Sequence, residues 1–203
     1  MQSYKTLLKA AESEITEKRS RFIAYVSPVS SEQEAAGFIE GIKKKNFSAK
    51  HNVFAYRLKS GAERYSEDGE PQGTAGAPVL ELLKSMNLTD CAVVVTRYFG
   101  GILLGTGGLV RAYTCAAKQS IELAGEKIYS RFSLYSTVCG YSLYGRVESA
   151  AAETGGRVKN ADFSQEVRAV LLIPGEKEEA FEKRLRDSTN GAVTAKKTGE
   201  IFA

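Results

Sequence analysis

The period of the hydrophobic positions changes several times along this 203-residue chain, and each change marks an element. Within residues 12–29 the segment RFIAYVSPV is a continuous extended run closed by Pro28. Ser31 followed by Glu34 reads as a capping box, and Ala35, Phe38, Ile39 and Ile42 then fall at helical spacing. AKHNVFAYRLKSG alternates as a strand, with Val53, Ala55 and Arg57 on one face and Phe54, Tyr56 and Leu58 on the other. AERYSEDGEP reads either as its hairpin partner or as a loop, with Asp68-Gly69 as the turn. GTAGAPVLELLKS, from Gly73, and GTGGLVRAYTCAAKQS, from Gly105, are predicted helices separated by the β-branched strand CAVVVTRYF. Both helices open on Gly-Thr-small-Gly, 32 residues apart, so Thr74 and Thr106 are the expected N-caps. Pro78 falls in the first turn, where proline is tolerated.

From about Tyr129 the cadence becomes strand, helix, two strands joined by a turn near Asn160–Asp162 or Ser164, a charged amphipathic helix and a last strand. That β-α-β-β-α-β order predicts a ferredoxin-like domain. The fold class is therefore α+β with two domains, 1–134 and 135–203, joined without a Pro/Gly-rich linker.

Composition leaves this picture unchanged. Apolar residues make up 43% and charged residues 26%, ordinary values for a globular protein. No run of 18 apolar residues suggests a membrane span, and the polar first 22 residues lack the apolar core of a signal peptide, so a cytoplasmic location is expected. Cys91, Cys115 and Cys139 are odd in number, have no Cys-x-x-Cys spacing and sit among apolar residues; they read as reduced core residues. With one histidine, His51, no zinc site is expected, nor any other metal or cofactor. The formal charge of +4 lies in residues 1–134, which carry 18 Lys+Arg against 14 Asp+Glu; residues 135–203 carry 10 of each. The first domain is thus mildly basic, which suits phosphate contact.

The candidate chemistry gathers at the glycine-rich helix starts. Bare N–H groups and the helix dipole attract anions, and glycine lets a phosphate approach the backbone. The candidate anion-binding set is Gly100, Gly101, Gly105, Thr106, Gly107 and Gly108, with Thr74 and Gly76 at the first mouth and Arg97 and Arg111 as bidentate donors. Neither Gly-x-Gly-x-x-Gly nor the P-loop pattern is met, because Val110 stands where a third glycine belongs. Tight turns with close helix–sheet packing are the competing explanation. Glu67, Asp68 and Glu70 form an acidic turn that reads as solvated or, less simply, as a hard-cation site. His51 reads as a structural or ligand-contacting histidine, since no nucleophile or carboxylate can be put beside it to make a catalytic triad. Arginines and aromatics, among them Arg57, Arg97, Tyr98 and Phe99, would suit RNA if they share a sheet face. The lysine run 43–45 is equally what a helix C-terminus prefers.

KRSRFIAYVSPV, AKHNVFAYR, YSEDGEPQGTAGAPVLELL and VVVTRYFGGILLGTGGLVRAY, in this order, closely resemble the YigZ/IMPACT family over roughly residues 15–125. The remainder is similar to the smaller C-terminal domain of bacterial members, itself like the last domain of elongation factor G. The resemblance implies an N-terminal α/β sandwich of the ribosomal-protein and GHMP-kinase kind. It also implies translation-linked binding rather than a reaction. Eukaryotic members compete for a kinase coactivator, a partner that a bacterial-type chain would not inherit. The motif surface implied by the family comprises His51, Asn52, Tyr56, Arg57, Asp68 and Glu70, then Arg97, Tyr98, Gly100 and Gly101, then Gly105, Gly107, Gly108 and Arg111.

The expected function is a non-enzymatic, translation-linked regulator that binds RNA or the ribosome, with no membrane partner. Two alternatives stand beside it. One is an enzyme acting on a phosphorylated small molecule, with Asp68 or Glu70 as base or metal ligand. The other is a protein-interaction module presenting Tyr98-Phe99 to a partner. A wide basic face favours the binder; a closed pocket in which carboxylates and arginines converge favours the enzyme.

Overall fold

A computed structural model describes residues 3–203. The chain forms two compact units, one of Tyr4–Ile128 and the other built chiefly of Tyr129–Ala203. In order, the first unit contains β1 (Ser3–Leu7), β2 (Ala11–Glu17), β3 (Ser20–Pro28), α1 (Glu32–Lys45), β4 (His51–Arg57), β5 (Glu63–Ser66), α2 (Gly76–Ser85), β6 (Cys91–Tyr98) and α3 (Thr106–Ala124). Its sheet runs β2-β3-β6-β4-β5, antiparallel throughout. β6 is the central strand, which explains its almost unbroken run of apolar residues: it is covered on both faces. Phe22, Ala24, Val53, Ala55, Val93 and Val95 face α2 and α3, while Tyr56, Ala92 and Val94 face α1. Residues 11–17, largely polar and weak in hydrophobic signal, are held as β2 by full pairing with β3.

Local signals in the sequence explain most element ends. Ser31 caps α1, its hydroxyl accepting from the Glu34 N–H at 3.2 Å. The box is only half closed, because the Glu34 carboxylate takes the Ser30 N–H, at 2.7 Å, instead of that of Ser31. The residues after Leu58 turn back as β5, so AERYS is a hairpin partner of β4. Cys91 and Cys139 are buried, and burial pushes the Cys91 thiol up to about 12. Cys115 departs from the expectation of three core cysteines: its position on α3 turns it away from the sheet, and it is exposed.

The second unit continues with β7 (Glu126–Cys139), α4 (Tyr141–Glu153), β8 (Arg157–Phe163), β9 (Val167–Pro174), α5 (Glu178–Thr189) and β10 (Ala195–Phe202). β7 begins before the unit boundary, at Glu126. The strand order β8-β9-β7-β10 is that of a ferredoxin-like sheet. α4 and α5 pack on it around Tyr135, Val147, Leu171 and Phe181. The whole is an α+β, two-domain fold. No helix among the described residues is long and apolar enough to cross a membrane.

One close approach fixes the end of the first sheet where the candidate residues lie. Lys18 and Arg19 turn β2 into β3, both at positive φ, and Gly100 lies directly against Arg19. The Gly100 N–H donates to the buried Ser20 hydroxyl at 3.2 Å. A Cβ on Gly100 would overlap the Arg19 carbonyl, which is backbone and cannot swing aside. Gly100→Ala should therefore lower stability by about 1–3 kcal/mol, the usual cost of overpacking, read as a reduced urea midpoint at unchanged m.

Candidate functional site

The strand register assembles the site. Arg97 on β6 lies opposite Phe22 on β3 and opposite His51 on β4, so these three side chains share the face covered by α2 and α3. Arg97 extends the stripe of Val93 and Val95 and is only 5% exposed. A buried guanidinium needs a counter-charge. Glu70 supplies it, accepting from Arg97 at 2.7 Å while also accepting from the Tyr113 hydroxyl of α3 at 2.7 Å. The Arg97 guanidinium sits 5.4 Å from the centroids of both Phe22 and Phe99. Burial, then the neighbouring Glu70 carboxylate, push the Tyr113 phenol well above its ordinary value, so it remains a donor.

The acidic turn is drawn into the fold, with Glu67 and Asp68 half-buried and Glu70 buried. Its three carboxylates each hold a piece of backbone or a cation. Glu67 accepts from the N–H groups of Gly73, Ala75, Gly76 and Ala77 at 2.7–3.2 Å, filling the mouth of α2. Asp68 accepts from the Asn52 N–H at 2.6 Å. Glu70 is the partner of Arg97. No cluster of potential metal ligands occurs among the described residues. The threonines are not the helix caps: the N-cap positions are Ala75 and Gly105, without side-chain caps. Thr74 instead donates to the Pro71 carbonyl at 2.6 Å, since the carboxylate of Glu67 has already taken the helix donors.

The mouth of α3 has no such carboxylate. Gly105, at φ 72°, takes the N-cap position, and no acidic residue occurs in the first turn. This turn borders two depressions that share Leu104. The first, a cleft of about 420 Å³, is lined by Lys50, His51, Glu70, Arg97, Phe99 and Leu103 together with Gly105 and Thr106. The second, of about 230 Å³, is lined by Glu17, Lys18, Gly108, Arg111 and Cys115 among others. Lys18, Arg19, Lys50 and Arg111 are exposed and make no ion pair or hydrogen bond among the described residues. Cations elsewhere in this unit, such as Arg21, Lys45 and Lys84, are paired with glutamates.

The structure thus brings His51, Glu70, Arg97, Gly105 and Thr106 into one cleft, and puts Gly108 and Arg111 in its neighbour. Gly107 stands in the same first turn, open to space, and Gly100 and Gly101 lead into it. Gly76 donates to Glu67 inside the filled α2 mouth. Arg57 lies at the far end of β4, bonded to Glu63 and to the Leu88 carbonyl. Tyr98 points to the α1 side and donates to Asn46 at 3.2 Å; Asn52 shares that face, accepting from Thr96. Tyr56 also lies there, with α1. Beside Phe99, already a candidate by sequence, Lys50 and the exposed Leu103 are additional members of the site. Their exposure in a loop is invisible to periodicity; only the adjacency of Lys50 to His51 hinted at it.

Comparison with known proteins bears on the whole chain. The Impact N-terminal domain matches residues 18–121, and a domain of unknown function (DUF1949) matches residues 137–192. The chain is 38% identical over 203 residues to IMPACT family member YvyE of Bacillus subtilis, covering 99% of this chain and 93% of that protein. It is 31% identical to IMPACT family member YigZ of Escherichia coli, covering 92% and 95%. A solved structure described as "Crystal structure of an hypothetical protein" superposes with a TM-score of 0.63 at 28% identity, covering 98% of each chain.

Two substitutions separate the structural roles in this site. Arg97→Ala leaves Glu70 buried without its cation and should cost about 3–5 kcal/mol, seen in chemical denaturation. Glu67→Ala removes the acceptor of four N–H groups at a half-buried turn and should cost about 1–2 kcal/mol, with the loss visible as faster amide exchange in the first turn of α2.

Proposed function

The chain belongs to the IMPACT family, and on that premise we propose that it is a translation-linked binder of RNA, free or on the ribosome, that acts without chemistry of its own. The observation that carries this reading is the row of unpaired cations around the open mouth of α3. Lys50 on one side, and Lys18, Arg19 and Arg111 on the other, are left without intramolecular partners. The two depressions they border meet at Leu104. A row of this kind suits a chain of successive phosphates better than one isolated anion. Phe99, 51% exposed, and Leu103, 81% exposed, stand beside it as surfaces for unstacked bases. Arg97 is not one of the phosphate donors in this reading, because Glu70 neutralises it; its role is to shape the wall.

A second reading keeps one supporting observation. Glu70, Arg97 and His51 converge in a single cleft, as an enzyme for a phosphorylated small molecule would require. Against it, Glu70 is committed to Arg97 and Tyr113 and is only 8% exposed.

Ribosome co-sedimentation and filter binding to single-stranded RNA at several salt concentrations test the proposal. Lys50→Ala and Arg111→Ala, both at exposed positions, should each weaken binding while leaving the fold intact. Each should also make the slope of log affinity against log salt shallower by about 1. Slopes and affinities that match the unaltered protein would remove RNA binding from this surface.

A further inference from the structure

The imidazole of His51 is held in one tautomer. Its Nδ1 lies 2.8 Å from the carbonyl oxygen of Asp68. A carbonyl only accepts, so Nδ1 carries the proton and donates. In the neutral ring the lone pair therefore belongs to Nε2. That nitrogen has no hydrogen-bond partner: the nearest carboxylate oxygen, on Glu70, is 3.9 Å away and already accepts from Arg97 and Tyr113. Asp68 reaches Asn52 and not the ring nitrogen. His51 lines the cleft beside α3, so its uncommitted acceptor belongs to that cleft.

Most other polar groups of that wall are donors; the exceptions are the Glu70 carboxylate, whose Oε1 holds Arg97 and Tyr113, and the Thr106 hydroxyl, which can donate or accept. Lys50 is unpaired, the Thr106 hydroxyl makes no bond, and the first N–H groups of α3 lack a cap. Arg97, buried in the same wall, carries an Nε–H with no acceptor in the protein. The remaining lining is apolar, with Phe99 and Leu103 foremost. A ligand that satisfies all three parts carries an anion for the donors, a flat apolar body for Phe99 and Leu103, and one hydroxyl that donates to His51. A ribonucleoside phosphate has those three parts: phosphate, base and ribose hydroxyl. The volume, about 420 Å³, falls within the range of small-ligand sites of about 300–1,000 Å³.

We propose that this cleft seats one ribonucleotide unit, and that Nε2 of His51 accepts the hydroxyl proton of its ribose, so that the surface distinguishes RNA from DNA. The inference rests on the RNA-binding reading above and adds to it a specificity-determining residue. The hydroxyl that DNA lacks is the feature by which a protein tells the two apart at a given position. Phosphate contacts at Lys50 and at the helix mouth are common to both nucleic acids.

Fluorescence anisotropy with labelled eight-nucleotide single strands of one sequence tests it, using RNA, DNA and 2′-O-methyl RNA, with free ribonucleoside and deoxyribonucleoside 5′-monophosphates as competitors. RNA should bind about tenfold more tightly than the DNA and 2′-O-methyl strands, the scale of one hydrogen bond. His51→Ala should lower RNA affinity to the DNA level and leave DNA affinity in place. The 2′-O-methyl comparison uses the unaltered protein, so it stands even if His51→Ala fails to fold. Equal affinity for the three strands overturns the role of His51 and leaves strand binding intact. A preference that survives in folded His51→Ala also overturns it. Binding of ribonucleoside but not deoxyribonucleoside monophosphates in isothermal titration, without strand binding, supports the ribose contact and removes the strand reading. Binding of neither strands nor monophosphates overturns both.

Discussion

The end of the first sheet is organised by one buried charge. Arg97 occupies a position on β6 that the pattern of Val93 and Val95 reserves for an apolar side chain. Its burial is tolerable only with a counter-charge of good geometry and with the remaining polar atoms satisfied. Glu70 meets the first need, and to do so the loop after β5 must fold back over the sheet. Tyr113 then reaches the same carboxylate oxygen from α3, so one oxygen ties β6, the acidic loop and α3 together. The loop brought in for Glu70 also carries Asp68, whose carbonyl orients His51 and whose carboxylate holds the start of β4. The cleft is a by-product of that arrangement: its wall is the ion pair, and its rim is the loop and the mouth of α3.

The two Gly-Thr-small-Gly segments show what the same short sequence does in different charge settings. At α2 the chain supplies its own anion, and Glu67 collects four backbone N–H groups. At α3 no side chain does so, although the dipole and orphan donors are the same in kind. The surrounding cations are likewise left unpaired; Glu67, Asp68 and Glu70 are engaged elsewhere, and Glu17, beside Lys18, is an exposed carboxylate among them. Four unpaired cations therefore lie around one helix mouth in a chain whose formal charge is only +4. A modest net charge is a poor guide here, because some cations, such as Arg97 and Lys84, are neutralised by pairing while those around this mouth are not.

How much of this was legible in the sequence depended on range. The helices and most strands follow from periodicity, and the β-α-β-β-α-β order of the second domain follows from counting elements. β2 was harder, because pairing along β3 rather than any hydrophobic stripe holds it in place. The candidate site was half legible. Glycine spacing marked the helix mouths, and the family blocks marked His51, Glu70 and Arg97. The Thr74 cap failed because a carboxylate six or more residues upstream outcompetes a hydroxyl, a relation that local rules do not see, whereas at α3 the cap position falls on Gly105, one residue before Thr106. The pairing of Arg97 with Arg111 as twin phosphate donors also depended on tertiary context. Arg97 is turned inward and neutralised, whereas Arg111 is exposed on the other side of the α3 turn. The same alternation separates Arg97 from Tyr98, which cannot share a face with it on a strand.

The commitments of the polar groups also bear on what this surface can do. Acid–base catalysis needs groups free to exchange protons while the fold stays intact. Glu67 and Asp68 hold backbone, and Glu70 holds Arg97 and Tyr113, so protonating any of them loosens the structure that forms the cleft. The phenol of Tyr113 is held as a donor by its burial. Nε2 of His51 is an acceptor without a hydrogen-bond partner in this cleft, where several of the other polar groups are donors. A free acceptor among several donors is a recognition pattern: it can sort ligands by a single hydroxyl without moving a covalent bond. That asymmetry, built from a backbone carbonyl and an ion pair, is what supports the proposed recognition role over that of a reaction centre.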